Sequence, residues 1–128
     1  MLEKINLAEC LSRFDEFWSP RIVGELNDSH LKLAKLKGEF VWHHHENEDE
    51  LFVVLAGELL IKLRDGRGPD ATQSEIRLRP GECLIIPRGT EHLPIAENEV
   101  HLMLIEPKTT RNTGNITNER TITEQERL

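Results

Sequence analysis

The sequence has no tyrosine, and aromatic residues make up only 5% of it. A phenol is therefore absent both as a proton donor and as a nucleophile, and no serine, threonine or cysteine stands beside an evident base. Cysteine is scarce as well. Cys10 and Cys83 are far apart and form neither a CxxC pair nor a disulfide framework, so both are expected to be reduced and structural. No apolar run approaches the roughly 18 residues that span a bilayer, and the N-terminal MLEKINLAEC carries acids where a secretory signal needs basic and then apolar residues. A cytoplasmic location is the expectation. Positive charge is in deficit, with 16 Lys and Arg against 23 Asp and Glu and a formal charge of −7, which disfavours nucleic acid and anionic membranes as partners.

What remains is an ordinary globular composition, 38% hydrophobic and 30% charged, in a chain of 128 residues that can bury one core without staples. Residues 6–17 read as a helix: Asn6 can cap, Glu9 completes a capping box, and Leu7, Cys10, Leu11, Phe14 and Phe17 recur at helical spacing. From Pro20 onward the pattern changes to short Leu-, Ile- and Val-rich segments separated by Gly, Pro, Asn and Asp. The expected strands are Ile22 to Leu26, Leu31 to Lys37, Glu39 to His45, Leu51 to Leu55, Glu58 to Leu63, Glu75 to Leu78, Cys83 to Ile86 and Val100 to Ile105. Turns are expected at Asn27-Asp28-Ser29, Ala56-Gly57 and Arg79-Pro80-Gly81, with a longer loop from Arg64 to Gln73. About eight strands without intervening helices favour an all-β antiparallel barrel or jelly roll. The organisation is thus an N-terminal helical segment over 1–19, a β-barrel over 20–107 and an extended C-terminal arm over 108–128. The strand LFVVL (Leu51 to Leu55) is apolar on both faces, so its outer side needs a cover, supplied by the helix, another sheet or a second subunit in a homodimer.

The chemistry is concentrated in Val41 to Glu50 (VWHHHENEDE), three histidines and several acids ahead of an apolar strand. On an extended strand His43 and His45 share a side, and His44 points to the other. A further oxygen ligand needs a bend, which the polar stretch Glu46 to Asp49 permits. Glu50 then opens the next strand, with Gly57 at its far end. A second segment, Gly81 to His92, ends a strand at Pro87, turns at Gly89 and delivers His92. Three neutral imidazoles and one carboxylate suit a divalent Fe, Mn, Ni, Co or Zn ion.

These two segments resemble the paired motifs of the cupin superfamily. The first is carried by Gly38, His43, His45, Glu50 and Gly57, the second by Gly81, Pro87, Gly89 and His92. Two departures stand out. Gly38 lies one residue closer to the first histidine than the pattern has it, and the asparagine that ends the second motif is Ala96 here. Within the superfamily, Glu106-Pro107 followed by Thr110, Asn112, Thr113 and Gly114 is similar to the C-terminal stretch of small cupins described as mannose-6-phosphate isomerase-like. The resemblance implies a metal held by His43, His45, Glu50 and His92.

The functional expectation is a metal-dependent enzyme of dioxygenase or isomerase type acting on a small, anionic or enolisable metabolite. The alternative is a cupin that binds or senses a small ligand without turnover. Among the other candidates, His44 reads as a surface or interface residue and His101 as a core or cavity-wall residue. His30 reads as a turn residue, and Glu46, Glu48 and Asp49 as a solvated run. Phe40, Trp42 and Phe52 read as core packing, with a pocket wall as the other option. Arg88 reads as exposed, with orientation of an anionic substrate as the other option.

Overall fold

The computed structural model describes residues 2–66 and 71–128, so the centre of the expected loop from Arg64 to Gln73 lies outside the described residues. One short helix, α1 (Leu7–Leu11), precedes seven strands: β1 (Arg21–Leu26), β2 (Ser29–Glu39), β3 (Glu50–Ala56), β4 (Leu59–Asp65), β5 (Thr72–Leu78), β6 (Cys83–Ile86) and β7 (Glu91–Pro107). Every ladder between them is antiparallel. The strand order is β1-β2-β7-β3-β6, and β4 joins β7 to β5. Strand β7 therefore serves two sheets, with its C-terminal half against β3 and its N-terminal half against β4. The result is a jelly-roll arrangement rather than a closed barrel, since β5 and β6 share no ladder among the described residues.

The expected helix over 6–17 is cut to one turn. Asn6 caps it as the capping box requires, its Oδ1 accepting from the Glu9 N–H at 3.1 Å. Ser12 ends it: its hydroxyl donates to the Glu9 carbonyl at 2.6 Å, the local competition that serine offers a helix. Beyond it the sheet takes over. The Trp18 N–H donates to the Lys35 carbonyl and its indole Nε1–H to the Lys37 carbonyl, both at 2.8 Å, fastening this segment across β2. Helix α1 still does what its apolar face predicts, packing Cys10, Leu11 and Phe14 on Leu33 of β2.

Two strand expectations also change. The segment Glu39 to His45 is not a strand: the β2–β7 ladder ends at Glu39 opposite Ile95. The Phe40 N–H still donates to the Pro94 carbonyl at 3.1 Å, but proline has no N–H to return, so the ladder cannot propagate. Strand β7, expected from Val100, starts instead at Glu91. Its middle residues Glu97, Asn98 and Glu99 are exposed and together face Lys37 alone, a bulge that bends the strand from one sheet into the other.

The interior between the sheets is filled by alternate residues of each strand, among them Leu36, Val54, Ile61, Val100 and Leu102. One interior pair is ionic. Lys32, next in line to Ala34 and Leu36 on β2, places Nζ 2.7 Å from Glu106 Oε1 at the end of β7, and both side chains are almost wholly buried.

Gly57, expected in a tight turn, has φ +79°, and a Cβ there would strike the Glu99 carbonyl oxygen in the bulge. Gly81 has φ +86° with open space around it. Gly57→Ala should therefore cost about 2 kcal/mol or more and Gly81→Ala nearer ~1 kcal/mol, read from urea midpoints. Equal costs would show that the collision is relieved for free.

Candidate metal centre

The four residues singled out from sequence converge. One ligating atom from each of His43, His45, Glu50 and His92 lies within 4.8 Å of the other three, and all four residues are buried. Each is placed by a different local device. Glu50 opens β3 on the interior side shared with Phe52 and Val54. His92 follows the turn at Gly89, whose N–H donates to the His45 carbonyl at 2.7 Å. His43 and His92 exchange backbone hydrogen bonds, His43 N–H to His92 carbonyl at 3.1 Å and His92 N–H to His43 carbonyl at 2.9 Å, an isolated antiparallel bridge.

Hydrogen bonds set the tautomers. His43 Nδ1–H donates to the Val41 carbonyl at 2.9 Å and His92 Nδ1–H to the Thr90 carbonyl at 2.8 Å, leaving each Nε2 as a free lone pair. His45 Nε2 lies 2.9 Å and His92 Nε2 3.4 Å from Glu50 Oε1. Neither approach has hydrogen-bond geometry, so these three buried atoms are left without a partner. Unpartnered buried polar atoms are costly, and lone pairs gathered around one point fit a cation at their centre.

The electrostatics agree. Burial, with the neighbouring His92 adding to it, pushes His43 down to about 3, so its imidazole is neutral near pH 7. Burial alone would raise the Glu50 carboxyl, but the adjoining His45 and His92 outweigh it and hold Glu50 well below the usual carboxylate range. Near neutral pH the His43 imidazole is thus neutral and the Glu50 carboxylate ionised, the forms that bind a divalent ion.

His44 turns away from the other histidines, as strand alternation predicts, but it is buried rather than exposed. Its Nδ1 lies 2.9 Å from a Glu91 oxygen, and its Nε2 bonds Glu46. Those two bonds, Glu46 first and then Glu91, raise its pKa. His101 is also misjudged by the sequence: it sits on the outer face, half-buried, bonded to Glu99 at 2.7 Å. His30 is half-buried beside the turn between β1 and β2. Glu46 and Asp49 are exposed as expected, although Asp49 Oδ1 accepts from the Arg88 N–H at 2.8 Å, whereas Glu48 is half-buried and its Oε2 accepts from the Thr109 hydroxyl at 3.1 Å. Cys83 is exposed, contrary to expectation, and Cys10 is buried.

A cavity opens beside the cluster, with about 50 Å³ open to the centres of water molecules. His43 and Glu50 reach it, together with Phe40 and Phe52, whereas Trp42 lies under the Arg64 guanidinium, 4.3 Å from its ring centroid, and neither Trp42 nor Arg88 lines the cavity. Trp18, Glu106 and Asn112 also line it, and none of them was read as a cavity residue. Extending the alternation of Leu102 and Leu104 by one step finds Glu106. Asn112 was marked only by the resemblance of the C-terminal stretch, and it arrives on that arm.

That arm is fastened to the histidine segment. The Asn115 N–H donates to the His44 carbonyl at 3.0 Å, and Asn115 Oδ1 accepts from the His44 N–H at 2.9 Å. Thr113 is fully buried, and a Cβ on Gly114 would strike the His44 carbonyl oxygen.

The chain belongs to the cupin family: residues 30–118 match the model of the cupin domain. It is 43% identical over 87 residues to the uncharacterized protein YdbB of Bacillus subtilis (strain 168), a match covering 68% of this chain and 71% of that protein. The crystal structure of a cupin-2 domain containing protein from Shewanella frigidimarina is 44% identical, covers 81% of this chain and 94% of its own, and superposes with a TM-score of 0.74. Acireductone dioxygenase of Bacillus subtilis (strain 168) is 31% identical over 67 residues, 52% of this chain but 36% of that enzyme. The chain thus spans about a third of the dioxygenase it matches.

His43 makes the metal-free protein sensitive to acid. The unfolded imidazole takes a proton near pH ~6.5 and the folded one only at about 3, so within that window the unfolded state binds more protons and stability falls as pH falls. The slope from this group is at most ~1.4 kcal/mol per pH unit. His44, with its raised pKa, acts in the other direction: its contribution is present below the unfolded value and lost as pH rises through the folded one. Denaturant midpoints between pH 4 and 6 should therefore depend less on pH in a His43→Phe variant than in the parent, and equal slopes would remove the assignment.

Proposed function

We propose that the protein is a metal-dependent enzyme in which His43, His45, Glu50 and His92 hold one divalent transition ion, acting on a small metabolite in a reaction of dioxygenase or isomerase type. The observation that carries this reading is the gathering of four buried ligating atoms, three of them without any hydrogen-bond partner. Such an ion supplies Lewis acidity, and, if it is iron, oxygen activation. The protein's own part is to orient the His43 and His92 rings with their Nε2 atoms free, through the Val41 and Thr90 carbonyls, to keep His43 neutral by burial, and to exclude bulk water with an apolar wall. The likeness to acireductone dioxygenase supports the oxygenase branch, over the limited stretch that the two chains share.

Anaerobic purification followed by elemental analysis tests the site. The parent should carry one transition ion per chain, and His45→Ala and His92→Ala should each weaken metal binding by more than ~10-fold with the circular dichroism spectrum unchanged. Full metal content in both variants would sink the reading. Oxygen uptake and a metabolite screen on the loaded protein separate the enzyme from the non-catalytic alternative, in which ligand binds and nothing turns over.

A cytoplasmic homodimer is part of the same proposal. Helix α1 covers Leu33, Leu55 and Met103 on the outer face of the sheet, but Leu51 and Val53 remain half-buried and Ile85, on the edge strand β6, is 63% exposed. A second copy related by a two-fold axis would cover this apolar patch. Light scattering should give a dimer for the parent and a monomer for Ile85→Asp; a monomeric parent would refute it.

A further inference from the structure

We propose that the ligand of this site is a short molecule bearing a hydroxyl next to a single metal-binding oxygen group, apolar beyond those two, and without a second acidic group. A short 2-hydroxy monoacid is the type. The inference rests on the metal reading above and adds the class of ligand to it.

The cavity walls carry the argument. Apolar residues, Trp18, Leu36, Phe40, Phe52, Leu102 and Leu104 among them, form most of the lining, so the body of a ligand there meets hydrocarbon and aromatic faces. The polar lining is confined to His43, Glu50, Glu106 and Asn112. Two of these are metal-binding atoms. Asn112 has nothing left to offer, because its Nδ2 donates to the Arg120 carbonyl at 2.7 Å and its Oδ1 accepts from the Ile122 N–H at 2.9 Å. Glu106 is different. Its Oε1 is held by Lys32, while its Oε2 is buried and has no partner. One unpartnered carboxyl oxygen beside the metal-binding carboxylate is the place for a ligand hydroxyl adjacent to the atom that binds the ion, since a hydroxyl can either donate to it or accept from it.

Charge limits the rest of the ligand. No Lys or Arg lines the cavity. Lys32 is committed to Glu106, and the Arg120 guanidinium lies against the rings of Trp18 and Phe40, 5.7 and 5.8 Å from their centroids. A second carboxylate or a phosphate would be buried against apolar walls with no counter-charge. Size points the same way, since about 50 Å³ holds only a few water-sized groups. A phosphorylated sugar fails on both counts.

The test uses Co(II)-loaded full-length protein and follows the visible Co(II) spectrum during titration with lactate, propionate and malate. Lactate should perturb the spectrum at the lowest concentration. Propionate, which lacks only the hydroxyl, should bind about tenfold more weakly or worse. Malate, which replaces the methyl by a carboxylate-bearing arm, should bind more weakly still. In the double variant Lys32→Met with Glu106→Gln, which removes the pair without stranding either charge, Co(II) should still bind and the preference for lactate over propionate should shrink to a few-fold. Equal binding of lactate and propionate to the parent, or malate matching lactate, would overturn the proposal while leaving the metal site intact. Failure of the parent to take up Co(II) in the preceding metal titration would instead overturn the metal reading, and this inference with it.

Discussion

Strand β7 belongs to both halves of the fold, and that constraint organises the rest. Its C-terminal half is clamped between β2 and β3, and its N-terminal half continues along β2 while taking β4 as its other neighbour. A single strand can do this only by bending, which the bulge at Glu97 to Glu99 allows. The bend brings the two ends of β7 to one site: His92, near its start, joins the cluster with His43, His45 and Glu50, and Glu106, near its end, lines the cavity beside that cluster. The segment after β2 is then captured by the reciprocal backbone bonds between His43 and His92, so three chain segments distant in sequence meet at one point.

The alternation of side chains made much of this legible. It paired His43 with His45, turned His44 away and pointed to an all-β antiparallel barrel or jelly roll, while the cupin kind came from the resemblance of the two motifs. It failed wherever a long-range partner decided the outcome. His44 is buried because Glu91 lies beside it, and Glu91 belongs to the half of β7 that a polar stretch, Glu97-Asn98-Glu99, disguises as a loop. The helix ends early because Trp18 is anchored by carbonyls of β2, an attachment no local propensity encodes. Phe40 to His45 leave the ladder because the residue opposite is Pro94, known only once the register is known. Arg88 is exposed, as its main sequence reading has it, and contributes no lining to the cavity.

The buried polar groups fall into two populations. Most are paired: Lys32 with Glu106, Arg21 with Glu16 and the Ser19 carbonyl, Thr113 with the Ile116 carbonyl and Thr121. These bonds fix the interior and the arm. A smaller set is buried and unpaired. Some of these atoms are scattered, such as Arg64 Nε, Thr110 Oγ1 and Gln125 Nε2, but Nε2 of His45 and His92, Oε1 of Glu50 and Oε2 of Glu106 gather in the histidine cluster and the cavity beside it. Burial and the adjacent Glu50 charge push the Glu106 carboxyl well above its ordinary range, with Lys32 only partly opposing them. The densest group of open polar atoms among the described residues thus lies at this site.

The ion pair between Lys32 and Glu106 also constrains how such a sequence can drift. Losing either partner alone strands a charge in the interior, at a cost of about 3–5 kcal/mol, whereas exchanging both for apolar residues of similar volume can be nearly neutral. Positions 74 residues apart are therefore tied into one inherited unit. A change at one position is thus buffered only by a change at the other, and removing both also removes the carboxyl beside Glu50 that a bound molecule can address.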